Sequence, residues 1–332
     1  MTVLVTGATG FIGRHLVRAL CERGHQVRVL VRTPSRLRVL EGLPVEPIIG
    51  DLIQPGVVHK AVSGARWIFN CAGLASDWGP WSAFQASNIT GVQELLRAAL
   101  LDDHLERLIH VSTTDVYGYP NRRGVDEDAP MVDRRLPYNS TKIAGERLVW
   151  QAHHDRGLPV TVIRPASVYG PHDPNYVGEF LNLLRSGLVV YIDGGETVAG
   201  LGYVENVVDL MLLAAEAPAA VGRAFNASDG SSVTWRQFVE GLSRVTGLTA
   251  RAISLPHDLA YALGFGMEML WRVLRMSSRP LLTRQAVENV GTHQDFSIER
   301  ARRMLGFAPR VSFDEGMERV GRWLRDTGQV PG

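Results

Sequence analysis

Thr2-Val3-Leu4-Val5-Thr6-Gly7-Ala8-Thr9-Gly10-Phe11-Ile12-Gly13 opens the chain and runs into an amphipathic stretch that ends near Gly24. An apolar β-branched segment, a glycine-rich turn and a helical pattern predict a strand, a tight turn and a helix, in that order. A junction of this kind aims backbone N–H groups and the positive end of a helix at one point, where a pyrophosphate can sit. Each glycine has a separate task. Gly7 permits the sharp exit from the strand, Gly10 lets backbone approach phosphate without a Cβ in the way, and Gly13 lets the helix pack closely on the sheet. The spacing is GxxGxxG rather than GxGxxG, and glycine triplets also mark ordinary turns; the strand before and the helix after make this one a dinucleotide pocket.

Composition fits an enzyme of that kind. The 332 residues are 45% hydrophobic and 21% charged, enough to bury a large core in one large domain with a smaller lobe, or in two domains. A net charge of +1 gives no reason to expect a nucleic-acid partner. Cys21 and Cys71 fall on the first helix and near the end of a core strand, positions typical of small buried apolar residues rather than of a disulfide. With residue 1 leading straight into a core strand, no signal peptide is expected, and the expected location is a reducing cytoplasm.

Strand and helix patterns alternate along the first half. Gln26–Val31, Val45–Ile49, Arg66–Cys71, Arg107–Ser112 and Val160–Arg164 read as further strands, with helices near Trp81–Leu101 and Tyr138–Arg156. The predicted fold is α/β, a Rossmann-type doubly wound parallel sheet with a smaller, mainly helical C-terminal substrate lobe. Residues 1–165 form the nucleotide-binding part, to which the chain returns near 200–228, and residues 166–332 build most of the substrate lobe. Beyond Pro165, Gly170-Pro171, Asp173-Pro174, Gly187, Gly194-Gly195 and Gly200 mark the loops expected of such a lobe.

A second constellation is Tyr138-Asn139-Ser140-Thr141-Lys142, after Pro137. Proline suits a first helical turn, and the i, i+4 spacing puts the phenol and the ammonium on one face. A nearby ammonium and a positive nicotinamide ring both favour phenolate, so Tyr138 can exchange a proton with an alcohol or ketone. An isolated YxxxK is commonly a surface pattern; its place downstream of the glycine turn gives this one its meaning. A hydroxyl partner is expected at the carboxyl end of the fifth strand, where Ser112, Thr113 and Thr114 compete and strand-end capping explains any one of them.

Thr6–Gly13, Gly50-Asp51-Leu52, Asn70-Cys71-Ala72-Gly73, Ser112–Gly118, Tyr138–Lys142 and Arg164-Pro165-Ala166-Ser167-Val168-Tyr169-Gly170-Pro171 together resemble an extended short-chain dehydrogenase/reductase of the epimerase/dehydratase superfamily, over essentially the whole chain. The resemblance implies Thr113 as the catalytic hydroxyl, Tyr138 as general acid/base, and Lys142 as the group that holds the nicotinamide ribose and lowers the tyrosine pKa. It places Asp51 and Leu52 beside the adenine, and Ala72 and Gly73 on the ribose and nicotinamide side. Pro165, Ala166 and Val168 would lie by the nicotinamide, with Phe11 and Ile12 completing the glycine turn. It also implies a homodimer whose helices near Trp81–Leu101 and Tyr138–Arg156 pair across a two-fold axis through Leu95, Leu96, Ala99, Leu148 and Trp150.

Val31-Arg32-Thr33-Pro34-Ser35-Arg36 ends the second strand without the carboxylate that usually accepts from a ribose 2′-hydroxyl. Arg32 and Arg36 therefore favour NADP, with NAD left open; the alternative is two arginines solvating a surface turn. Relatives that act on nucleotide sugars resemble one another in an Asn after R-P-x and an R-D-F run that grips the diphosphate. Here Ser167 and Ala199-Gly200-Leu201 stand in those places. A diphosphate without fixed cations would be poorly compensated, which disfavours sugar nucleotides.

Apolar features point elsewhere. Leu74–Trp81 brings Trp78 and Trp81 to the active edge, beside Thr114 and Ser167 as further substrate contacts, and Leu259–Leu274 is rich in Leu, Met, Phe, Tyr and Trp. With Pro280–Arg284 and Asp295–Phe307 this region looks like the C-terminal lobe of the 3β-hydroxysteroid dehydrogenase-like branch. The apolar run reads equally as a core helix or a substrate wall; Glu268 and Arg272 interrupt it, so it can lie on a membrane but not cross one. The ten histidines show no ligand spacing, and no metal is expected. The expected activity is NADP(H)-dependent interconversion of a secondary alcohol and a ketone on a hydrophobic or alicyclic, steroid-like molecule. The alternatives are a sugar-nucleotide epimerase or reductase and a non-catalytic nucleotide-binding subunit, which would have no need of Thr113, Tyr138 and Lys142.

Overall fold

The computed structural model describes residues 1–276 and 278–330. Strands β1 (Thr2–Thr6), β2 (Gln26–Val31), β3 (Val45–Ile49), β4 (Trp67–Asn70) and β5 (Arg107–Val111), with Val160–Pro165 and Arg223–Ala227, form one seven-stranded sheet. Its spatial order is β3, β2, β1, β4, β5, Val160–Pro165, Arg223–Ala227, every neighbouring pair parallel. The strand order reverses between β1 and β4, and in open α/β sheets the crevice above that reversal is where ligands bind.

Alternation along the strands splits the core in two. Val3 and Val5 face α1 (Phe11–Glu22), whose Leu16, Val17 and Leu20 are fully buried, and the helix Val204–Glu216. Leu4, Ile68, Leu108 and Val162 face the other layer, built by the helix Pro55–Val62, the helix over 81–99 and the helix Pro137–Arg156. A sheet covered on both faces needs near-continuous apolar strands, which is how β1, β4 and β5 read. The strands lie within one residue of their expected bounds.

Leu95, Leu96 and Ala99, expected on a dimer face, are instead buried in this second layer. Side chains that pack on the subunit's own sheet cannot also meet a partner, so the two-fold pairing has only the partly buried Leu148 and Trp150 of the five to draw on. Beyond the sheet, a third cluster joins Trp235 and Phe238 to Tyr169, Tyr203, Met317 and Leu324. Two short parallel pairs, Ser167–Tyr169 with Leu201–Tyr203 and Leu188–Ile192 with Arg251–Leu255, carry the chain around the site.

Candidate active site

Gly7 leaves β1 at φ +65°, and a Cβ there would stand 2.6 Å from the Cys71 carbonyl and the Ala72 nitrogen, so the turn presses directly on the end of β4. Gly10 is the N-cap of α1 with no side-chain cap, and the first turn carries no acidic residue. The first N–H groups of a helix have no carbonyl within it. These donors are therefore left facing the crevice, at the positive end of the helix dipole, an arrangement that fits a pyrophosphate.

Arg32, at the carboxyl end of β2, is mostly exposed and lies 3.7 Å from Asp51, which follows β3. Arg36 sits on the exposed turn Pro34–Leu40. Leu52 is buried against the second layer and touches the place a Cβ on Gly91 would occupy.

Thr113 follows the end of β5 and caps the turn Thr114–Tyr117: its hydroxyl accepts from the Asp115 N–H and donates to Asp115 Oδ1, both at 3.2 Å. The helix Pro137–Arg156 is pinned to the same strand end, because Lys142 Nζ donates to the Val111 carbonyl at 2.7 Å. Its start is fixed by the buried Asn139, which accepts from the Arg134 N–H and donates to the Asp115 carbonyl. Asn88, in a π-helical turn over 86–90, accepts from the Leu74 N–H at 2.8 Å and donates to Thr141 at 3.1 Å, tying the loop after β4 to the tyrosine helix. Neither asparagine was evident in the sequence, where a polar residue on a helix face reads as solvated.

Electrostatics at this junction are dominated by burial. Burial pushes the Tyr138 phenol well above its usual value; the Asp115 carboxylate adds to this and the Thr113 hydroxyl opposes it. Burial likewise raises the Asp115 carboxyl, against hydrogen bonds from Tyr119 and Thr113. Lys142 is lowered to about 8 by burial, with Glu146 acting the other way. The Cys71 thiol is pushed up to about 12 by burial, so it is an inert thiol in the floor of the site.

Beneath Lys142 lies a buried ionic cluster. Arg164 forks onto Glu146, with side-chain exposures of 5% and 0%, and donates to the Tyr117 hydroxyl at 2.8 Å and the Glu127 carbonyl at 3.2 Å. Glu146 also accepts from Ser112 and from Trp150 Nε1. Ser112, one of the three candidate hydroxyls, is thereby committed to structure.

These elements enclose a cavity of about 1030 Å³. Gly10, Phe11, Ile12 and Gly13 line it at one end, Ala72, Gly73, Thr113, Tyr138 and Lys142 in the middle, and Pro165, Ala166 and Val168 beside them. Arg32, Arg36, Asp51 and Leu52 lie outside it, and Thr114 and Ser167 are buried next to it without lining it. Trp78 stands under the Arg272 guanidinium and Trp81 is half exposed on the helix over 81–99; neither reaches the cavity. The far wall is built instead by Tyr176, Phe180 and Leu183 of the helix Tyr176–Ser186 with Val190, Ile192 and Val290. The i, i+4, i+7 spacing of the first three was legible in the sequence, but nothing there showed that the face turns toward the site. Leu263 and Met267 are the part of the Leu259–Leu274 run that lines the cavity.

Residues 3–228 match the model of the NAD dependent epimerase/dehydratase family. The chain belongs to that family. It is accordingly an enzyme of an oxidoreductase and epimerase lineage, and its relatives extend over nearly its full length. It is 33% identical over 321 residues, 96% of this chain and 95% of the other, to a 4-hydroxy-2-methyl-3-oxo-4-farnesyl-3,4-dihydroquinoline-1-oxide ketoreductase of Stigmatella aurantiaca. It is 32% identical to a 2-alkyl-3-oxoalkanoate reductase of Stenotrophomonas maltophilia, covering 96% and 98% of the two chains. A sterol-4-alpha-carboxylate 3-dehydrogenase, decarboxylating, of Mus musculus is 30% identical, with 95% and 89% covered. Among solved structures, MoeE5 in complex with UDP-glucose and NAD superposes with a TM-score of 0.78 at 25% identity, covering 98% and 99%. Family membership accounts for the glycine turn and the crevice above the strand reversal.

Proposed function

We propose that this epimerase/dehydratase-family enzyme interconverts a ketone and a secondary alcohol on a molecule with a large apolar body, using NADP(H). The observation that carries this reading is the meeting of Thr113, Tyr138 and Lys142 in one cavity whose far wall is aromatic and aliphatic. The named activities of the two reductases and the sterol dehydrogenase support it. Residues 1–165, with the return near 200–228, would hold the coenzyme, and residues 166–332 would supply most of the substrate wall.

When bound, the nicotinamide supplies or accepts the hydride and, oxidised, adds positive charge near the phenol. The chain's own part is positioning and proton transfer. The uncapped start of α1 holds the pyrophosphate, and Lys142, fixed by the Val111 carbonyl, holds the ribose. Thr113, anchored by Asp115, presents its hydroxyl to the substrate oxygen, and Tyr138 gives that oxygen its proton. A phenol whose pKa is raised by burial is held in the protonated form that the donating role needs.

Arg32, exposed and free to turn from Asp51, is the group for a 2′-phosphate. NADPH should bind more tightly than NADH, and Arg32→Ala should weaken NADPH about tenfold, or about 1.4 kcal/mol, while leaving NADH alone. Fluorescence titration of both coenzymes checks it; equal binding by the unmodified enzyme removes Arg32 from the phosphate.

Sugar nucleotides should bind poorly. Among the described residues the cationic side chains lining the cavity are Lys142 and Arg279, and Arg279 is held bidentately by Asp77 at 2.6 and 2.7 Å. A diphosphate would lose charge-assisted hydrogen bonds of ~1.5–3 kcal/mol each, whereas an apolar body gains ~25 cal/mol per Å² buried. A panel of hydroxysteroids, terpenoid and alicyclic alcohols, long-chain 3-oxo compounds and sugar nucleotides, followed by NADPH absorbance and product stereochemistry, separates the readings. Turnover of sugar nucleotides alone would replace this proposal with the epimerase one.

A further inference from the structure

The helix His257–Val273 is packed inside out. The residues it buries are Ala260, Gly264 and Glu268, one narrow i, i+4 stripe, and Glu268 is compensated there by Arg284, whose backbone N–H and guanidinium both donate to it at 2.8 Å. Most of its large apolar side chains are exposed instead, with Tyr261, Met267 and Trp271 half-buried. Leu259, Leu263, Leu270 and Val273 follow one another at helical spacing, with Phe265 and Met269 beside them; Leu270 is 51% and Val273 74% exposed. A helix with this distribution leaves its apolar face uncovered among the described residues, and exposed patches of this kind mark an interaction surface.

Two further features say what covers it. Arg272 and Arg275 stand exposed at the C-terminal end of the same helix; Arg275 makes no ion pair among the described residues, and Arg272 lies over the Trp78 ring and 3.6 Å from the buried Glu268. The face is also continuous with the mouth of the active-site cavity, since the exposed Leu263 and the 78%-exposed Leu281 line that cavity. Apolar side chains bordered by arginines match the boundary between acyl chains and anionic headgroups. At about 1.5 Å per residue the helix is some 25 Å long and lies along a surface, and no described helix is long and apolar enough to cross a membrane.

We propose that this face docks on a lipid bilayer carrying anionic headgroups, with the helix lying in the interface and the cavity mouth opening onto the acyl chains. A substrate dissolved in the bilayer then enters past Leu263 and Leu281 without crossing water. The docking goes beyond the proposed activity and is read without it, so its failure and the failure of the redox assignment are distinguishable.

The test is sedimentation of the full chain with vesicles of phosphatidylcholine alone and of phosphatidylcholine with equimolar phosphatidylglycerol. The unmodified protein should pellet with the anionic vesicles, less so with the neutral ones. Leu270→Glu combined with Val273→Glu should lower the pelleted fraction at least about tenfold, and Arg275→Glu should abolish the preference for phosphatidylglycerol. Circular dichroism and coenzyme binding should be unchanged in both, since the three side chains lie outside the cavity and the core. An unmodified protein that stays in the supernatant with both compositions overturns the proposal. So does a double variant that pellets undiminished, or one that splits a dimer seen by light scattering while the unmodified protein ignores vesicles, which would make the face a contact between two copies.

Discussion

Tyr138→Phe is expected to lower turnover by about 10²-fold or more while coenzyme affinity changes little. The substitution keeps the ring in the cavity wall and removes only the proton. Burial and Asp115 hold the phenol protonated, and two neighbouring polar groups have partners of their own: Asp115 is tied to Thr113 and Tyr119, and the Lys142 ammonium to the Val111 carbonyl. Single-turnover reduction of any ketone returned by the substrate panel, with coenzyme binding measured on the same preparation, gives the answer. A variant that reduces the ketone at the normal rate would take Tyr138 out of the chemistry.

The second large effect is on stability. Arg164→Ala should destabilise the fold by about 3–5 kcal/mol, because it leaves the Glu146 carboxylate buried with only Ser112 and Trp150 as donors. For a chain of this size that corresponds to a fall in melting temperature on the order of 10 °C. Replacing Arg164 and Glu146 together by Met and Leu should cost much less, since no charge is then stranded. Calorimetry on the single and paired variants decides; a single variant within about 1 kcal/mol of the parent would mean that water reaches the cluster and screens it.

The sheet was legible because its signals are local. Each strand announces itself by β-branched apolar runs, and the glycine turn fixes which helix follows which strand. Thr113, Tyr138 and Lys142 were legible for the same reason, being set by position within a strand end and one helical turn. The far wall of the cavity was not. Trp78 and Trp81 read as pocket residues from their place after β4, yet the loop carries them away from the cavity, while Phe180, Leu183 and Val290 arrive from elements far apart in sequence whose facing is set by tertiary packing. Leu95 and Leu96 show the same limit, because an apolar helix face does not say whether it meets its own sheet or a second subunit.

The chain builds its site out of order. The sheet is complete once residue 227 is in place, and with it the glycine turn, Thr113, Tyr138, Lys142 and the Arg164 cluster. Leu255, Met267, Leu282 and Val290, which close the far side of the cavity, come from the last quarter, and Gln294–Phe296 then pairs with Arg122–Val125 made long before. During synthesis from the N-terminus, where domains fold as they emerge, the sheet and its glycine turn precede the far wall of the cavity. Substitutions at Leu255, Met267, Leu282 and Val290 therefore change the far side of the cavity without touching the glycine turn, whereas truncation after residue 230 would also remove Trp235, Phe238, Met317 and Leu324 from the core.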